Sequence, residues 1–248
     1  MDALTLIQYV FVIARIIVRA SKEIPDNVPP VGKVWERKSG RHAQITIENE
    51  FVKKRLVLDA DPPIFKWGGD GGLKELYDLV KQQRIVGTIQ LRDVEVSSLE
   101  IVLYLAPLGY RDPPKNMIEV KKLLLDVLSA LQSIHANGWV HRDIKLANVV
   151  LRLDGQWMVI DLELASKLDE RGEADWPFWD PRNNDVYPMP PRVGDERWKP
   201  KHDIYHVAMM LTSIPMFRIH AHRDVLVSAL QNAKDTQEAM DIVSRFSF

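Results

Sequence analysis

Residues 141–163 read H-R-D-I-K-L-A-N-V-V-L-R-L-D-G-Q-W-M-V-I-D-L-E, and the reading of this stretch decides the fold. Asp143, Lys145 and Asn148 fall on one short polar loop. Two apolar, β-branched runs follow, joined by Asp154-Gly155, a dipeptide strongly favoured in tight hairpin turns. The second run ends in another acid, Asp161, thirteen residues after Asn148. A plain polar loop before a plain hairpin would not need an acid, a lysine, an amide and a second acid at these spacings.

Upstream, residues 117–136 repeat apolar side chains with a period of 3.6 and stop at Asn137-Gly138, which predicts a long helix with a good C-terminal cap. A linker at 106–110 precedes it, and two strands are predicted before that, over 86–96 and 99–105. Residues 73–83 form an amphipathic helix entered through G-G-D-G-G at 68–72, which reads as a flexible connector. P-P-I-F-K-W at 62–67 reads as a strand. Residues 31–58 alternate β-branched and aromatic residues with charge, predicting a small antiparallel sheet with turns at Ser39-Gly40 and 48–50. The Pro-rich stretch 24–32 ends a helix predicted over 3–18, a run too short and too interrupted by Gln8 and Arg15 to span a bilayer. With Asp2 as its only early charge, that start also lacks the basic region of a signal peptide. Downstream, 164–200 is aperiodic and rich in Pro, Asp and Trp; a helix follows at 202–213, then two short helices.

The pattern H-R-D-x-K-x-x-N, strand, turn, strand, D-L-E resembles the protein kinase superfamily, and the order of elements before it is the family's order too. The resemblance implies an α+β, two-lobed protein-kinase-like fold. Its parts would be an N-terminal helical extension (1–30), an antiparallel-sheet N-lobe with one helix (31–106), and a minimal, mostly helical C-lobe (107–248). It implies an ATP- and Mg²⁺-dependent phosphotransferase, with Asp143 as base, Lys145 neutralising charge on the transferred phosphate, and Asn148 and Asp161 holding metal. Lys145 within H-R-D-x-K points to the serine/threonine class and a protein substrate. Asp203 resembles the buried acid that steadies the catalytic loop. For the ATP phosphates the family needs a third-strand lysine paired with a helix glutamate; Lys66 with Glu75 is favoured, and Lys53 or Lys54 with Glu75 is the rival pair.

The departures are specific. No G-x-G-x-x-G lies upstream, D-L-E replaces D-F-G, and Arg192 stands where the family's Y-x-x-P-E ends in Glu. The missing glycine loop, the short gap from Lys66 to Glu75, the leading helical segment and the minimal C-lobe together resemble the divergent kinase-like domains of fungi and oomycetes, crinkler-type effector kinases among them. They leave two rival readings: a pseudokinase scaffold and a small-molecule kinase. Residues 168–191 hold no Ser or Thr, so Arg142 is expected to meet Asp169, Glu170 or Glu173 instead of a phosphorylated residue. Trp176, Phe178 and Trp179 read as anchors of that loop. His202 and His206 have a zinc-like i, i+4 spacing, which a helix built around Asp203 already explains.

Composition bounds the alternatives. The 248 residues are 46% hydrophobic and 27% charged, enough for a sizeable core. A net charge of −1 gives no field that would favour nucleic acid or an anionic membrane. The absence of cysteine excludes disulfides, thiolate catalysis and Cys-based zinc sites, and is compatible with an intracellular setting, whether the cell's own or a host's.

Overall fold

The computed structural model describes residues 34–36, 43–48, 50–57, 72–98, 100–169, 197–218 and 220–248. The predicted helix at 3–18, the strand at 62–67 with Lys66, and the aromatic and Tyr187–Arg192 features lie outside them.

Strands β1 (Val34–Glu36), β2 (Ala43–Ile47) and β3 (Val52–Val57) are antiparallel, paired Val34↔Thr46 and Ile45↔Lys54. The β2–β3 turn closes with Glu48 N–H donating to Phe51 O at 2.9 Å. Helix α1 (Leu73–Lys81) buries Leu73, Leu76, Tyr77 and Val80, the single stripe expected of spacings of three and four. Strands β4 (Gln90–Val96) and β5 (Glu100–Ala106) complete a five-stranded sheet of order β1-β2-β3-β5-β4. β3 therefore lies in the middle of the sheet, flanked by β2 and β5.

The strand expected over 86–96 begins only at Gln90, and the helix expected to reach Gln83 ends at Lys81. Gly87 is the reason for the first. It sits at φ +74°, and a Cβ there would come within 2.8 Å of the Ala130 Cβ. The chain leaves the sheet to press against the long helix α2 (Met117–Ala136), and the Gly87 carbonyl accepts from Val159 N at 3.0 Å.

Helix α2 matches its predicted bounds. Asn116 caps it by accepting from Glu119 N at 2.9 Å, and Gly138 beyond its end sits at φ +81°. Under it lie β6 (Gly109–Tyr110), β7 (Trp139–Val140), β8 (Val149–Arg152), β9 (Trp157–Val159) and β10 (Ser166–Lys167). β8 and β9 form the expected hairpin, with Gly155 at φ +81° in its turn. β10 pairs with β7, folding the chain after D-L-E back onto the strand before H-R-D.

Helix α3 (Pro200–Ser213) is followed by a single turn, α4 (Pro215–Arg218), and by α5 (Arg223–Gln231) and α6 (Thr236–Arg245), one element more than the two predicted. The extra turn forms where Phe217 turns into the core. One apolar cluster runs from Leu56 and Leu103 of the sheet through Leu76 and Tyr77 to Leu128, Ile204 and Val243. The site lies along this core. Among the described residues no helix is long and apolar enough to cross a membrane.

Candidate active site

The loop between β7 and β8 is held from below. The Asp203 carboxylate, fully buried on α3, accepts from His141 N at 2.8 Å, Arg142 N at 2.7 Å and His135 Nε2 at 2.8 Å. These bonds fix Arg142 at φ +72°, a left-handed conformation that a residue with a Cβ adopts at a cost. Burial would raise the pKa of Asp203, but the hydrogen bond from His135 and the nearby imidazoles outweigh it and hold the acid at about 2. His141 takes Asp143 N–H on Nδ1 (3.2 Å), so its Nε2 carries the proton and donates to Ile160 O at 3.1 Å. One imidazole thus ties the loop to the residue before Asp161.

On this frame the predicted polar set converges. Lys145 Nζ donates to both carboxylate oxygens of Asp143, at 2.9 and 2.8 Å. Asn148, buried in a 3₁₀ turn at Leu146–Asn148, donates through Nδ2 to Asp143 O (2.9 Å) and Oδ2 (2.7 Å). Ile160 N donates to Asn148 O at 2.9 Å, which sets Asp161 beside the loop. Asp161 itself sits at φ +70°, turning the chain from β9 into the 3₁₀ turn Leu162–Leu164.

The sheet supplies a cation. Lys54 on β3 is buried and ion-paired with Asp161, and its Nζ is 2.7 Å from Glu163. Burial alone would lower the Lys54 pKa; the two carboxylates override it and raise it above the ordinary lysine value. Glu163, the last residue of D-L-E, is buried as well and accepts from Tyr77 OH at 3.0 Å. Burial pushes its pKa up to about 7, against the pull of Lys54 and with the help of Asp161. Loss of water around the carboxylate, with the neighbouring Asp161 charge, outweighs the attraction of the ammonium and accounts for that direction.

The predicted ATP-side residues are placed as follows. Lys66 lies outside the described residues. Of the rival lysines, Lys54 points into the cluster, whereas Lys53 lies over the Tyr104 ring at 5.4 Å. Glu75 is ion-paired with Lys167 on β10. Arg142 lies over the Trp198 ring at 4.5 Å; Asp169, one of its expected partners, accepts from Arg197 through its backbone oxygen, and Glu170 and Glu173 lie outside the described residues. His202 accepts from Lys199 N through Nδ1 at 3.0 Å, and burial lowers the His206 pKa to about 4. Glu163 and Tyr77 were missed. The one signal was the Glu in D-L-E, read as a spelling change instead of as a charge placed two residues from Asp161.

A model of the protein kinase domain matches residues 96–246, more than half of the chain. The chain belongs to the protein kinase domain family. It is similar to Crinkler effector protein 8 of Phytophthora infestans, 33% identical over 100 residues, which covers 40% of this chain and 16% of that protein. It is similar to the hormonally up-regulated neu tumor-associated kinase of Mus musculus, 24% identical over 178 residues, 66% of this chain and 25% of that one. Mitogen-activated protein kinase kinase kinase 20 of Arabidopsis thaliana is 32% identical over 102 residues, 41% of this chain and 29% of that protein. The chain therefore matches under a third of the length of each of these relatives. Within the kinase domain family it is a divergent member, with D-L-E at residues 161–163.

Proposed function

We propose that this domain transfers the γ-phosphate of ATP to a hydroxyl, most consistently a protein serine or threonine. The observation that carries this reading is the convergence of Asp143, Lys145 and Asn148 from one loop with Asp161 and the β3 lysine, Lys54. Asp143 orients the acceptor hydroxyl and takes its proton. Lys145, which holds both oxygens of Asp143, is close enough to neutralise negative charge developing on the transferred group. Lys54 meets the non-transferred phosphates in place of Lys66, because β3 lies centrally in the sheet and carries its ammonium to Asp161.

The donor set fits Mg²⁺. Asn148 commits its Nδ2 to Asp143, which leaves the amide oxygen for a cation, and Asp161 brings a carboxylate; both are the hard oxygen donors that Mg²⁺ takes. When bound, the ion would neutralise phosphate charge. Similarity to proteins named as kinases over partial lengths supports a protein acceptor.

The test is transfer of labelled phosphate from ATP with Mg²⁺ to a panel of proteins and hydroxyl metabolites, beside a calorimetric ATP titration. Asp143→Ala and Asp161→Asn should each abolish transfer, and Lys54→Met should weaken ATP binding more than Lys66→Met. ATP binding without transfer to any acceptor would replace this reading with a nucleotide-binding scaffold. Transfer surviving Asp143→Ala would refute the assigned base.

A further inference from the structure

Helix α1 carries two polar side chains near the site, Glu75 and Tyr77, and its geometry brings only Tyr77 to a carboxylate that holds the lysine. Residues two apart on an α-helix are separated by about 200° around the axis, so Glu75 and Tyr77 point to nearly opposite sides. Tyr77 is fully buried and its hydroxyl donates to Glu163 at 3.0 Å. Glu75 is part-exposed and pairs with Lys167. The carboxylates in ion-pair reach of Lys54 among the described residues are Asp161 and Glu163.

We propose that Glu163 is the positioning residue that sets Lys54 for nucleotide, braced by Tyr77, so that the lysine takes its structural carboxylate from the D-L-E turn and not from helix α1. This inference rests on the reading of Lys54 as the nucleotide lysine. Its physical content is a division of labour between two acids. Asp161 would share its carboxylate between a bound cation and Lys54, and the cation's charge would weaken its attraction for the ammonium. A second buried carboxylate keeps the ammonium in place through that change, and Glu163 is positioned to do so at 2.7 Å. The Tyr77 hydroxyl occupies the other Glu163 oxygen, so the carboxylate cannot swing away without losing a buried hydrogen bond. Helix α1 then communicates with the lysine through a neutral hydroxyl one residue removed, and the Glu75–Lys167 pair is a separate contact with β10.

The experiment measures the Kd for ATP, with Mg²⁺, of the full chain and of Glu163→Gln, Tyr77→Phe, their double variant, Glu75→Gln and Lys54→Met, with thermal unfolding run on each. Lys54→Met should weaken binding at least tenfold. Glu163→Gln should weaken it about five- to tenfold and Tyr77→Phe about two- to threefold. The double variant should be no weaker than Glu163→Gln alone, because the hydroxyl acts only through that carboxylate. Glu163→Asp, which keeps the charge, should recover part of the loss. Glu75→Gln should cost less than Glu163→Gln. A larger loss for Glu75→Gln, or full affinity in Glu163→Gln while Lys54→Met is impaired, would overturn the inference and leave the nucleotide-lysine reading standing. Full affinity in Lys54→Met would overturn both. If Glu163→Gln fails to fold, a folded Tyr77→Phe with unaltered Kd overturns the inference by itself.

Discussion

Replacing Asp203 with alanine should cost roughly 3–5 kcal/mol of folding stability, because it leaves two backbone N–H groups and one imidazole nitrogen in the interior without their acceptor. Each orphaned buried donor carries a penalty of about 1–3 kcal/mol, and local relaxation keeps the sum below the simple total. Protonation gives an independent lower figure. A shift from 3.8 to about 2 corresponds to about 2 kcal/mol favouring the ionised acid in the folded state. The sign follows from the depressed value: the unfolded chain binds the proton more readily, so this contribution is complete above about pH 4 and is lost as pH falls toward 2. Urea unfolding followed by tryptophan fluorescence is the assay, since Trp139 and Trp198 are buried close to this loop. The difference between wild type and variant should be level from pH 7 to 5 and shrink below 4. The loop should also loosen, with Arg142 released from φ +72° and Asp143 misplaced, so transfer should fall far more than ATP affinity. A loss under about 1 kcal/mol, on the scale of a surface substitution, would refute the claim that Asp203 holds the loop.

Three further outcomes are expected. Gly87→Ala places a Cβ 2.8 Å from the Ala130 Cβ at a positive φ, and should destabilise by roughly 2–3 kcal/mol in the same assay. Asn116→Ala removes the cap of α2 and should cost about 1 kcal/mol, with little effect on ATP affinity. His206, among Asp203, Asp143, His141 and His202, titrates near 4 in the fold against 6.5 in the unfolded chain, so stability should fall by roughly 3 kcal/mol as pH drops from 6.5 to 4. His206→Gln should flatten that slope; an unchanged slope would assign it to other groups.

What was legible in the sequence was what local periodicity and turn chemistry encode. Helix α2 begins and ends where its apolar repeat and Asn137-Gly138 place it, and the β8–β9 hairpin turns at Asp154-Gly155 as read. The boundaries at 82–90 were misread because Gly87 answers to Ala130, forty-three residues later on the long helix, a contact that no window of neighbouring residues contains. Spacing along the chain favours Lys66, which lies outside the described residues, over the alternative Lys54, with Pro-Pro reading as the start of a strand just ahead of α1. The alternative depends on pairing Ile45↔Lys54 and Lys54↔Leu103, a register fixed by three strands together.

The same limit explains Glu163. In the chain it sits 109 positions from Lys54 and 86 from Tyr77, and the residue type alone, an acid in a short turn, is ordinary on a surface. Burial changes its meaning. An acid with no partner in that position would be strongly disfavoured, so a buried Glu next to a buried Asp requires a cation and a donor, and Lys54 and Tyr77 supply them. The substitution in D-L-E is therefore only intelligible as one of a set: Glu163, Tyr77 and the central strand's lysine support one another, and changing any one removes a partner from a buried charge or hydroxyl. A chain that kept Glu163 but lost Tyr77 and Lys54 together should not fold stably at neutral pH, and its recovery on acidification would show that the uncompensated carboxylate was the cause.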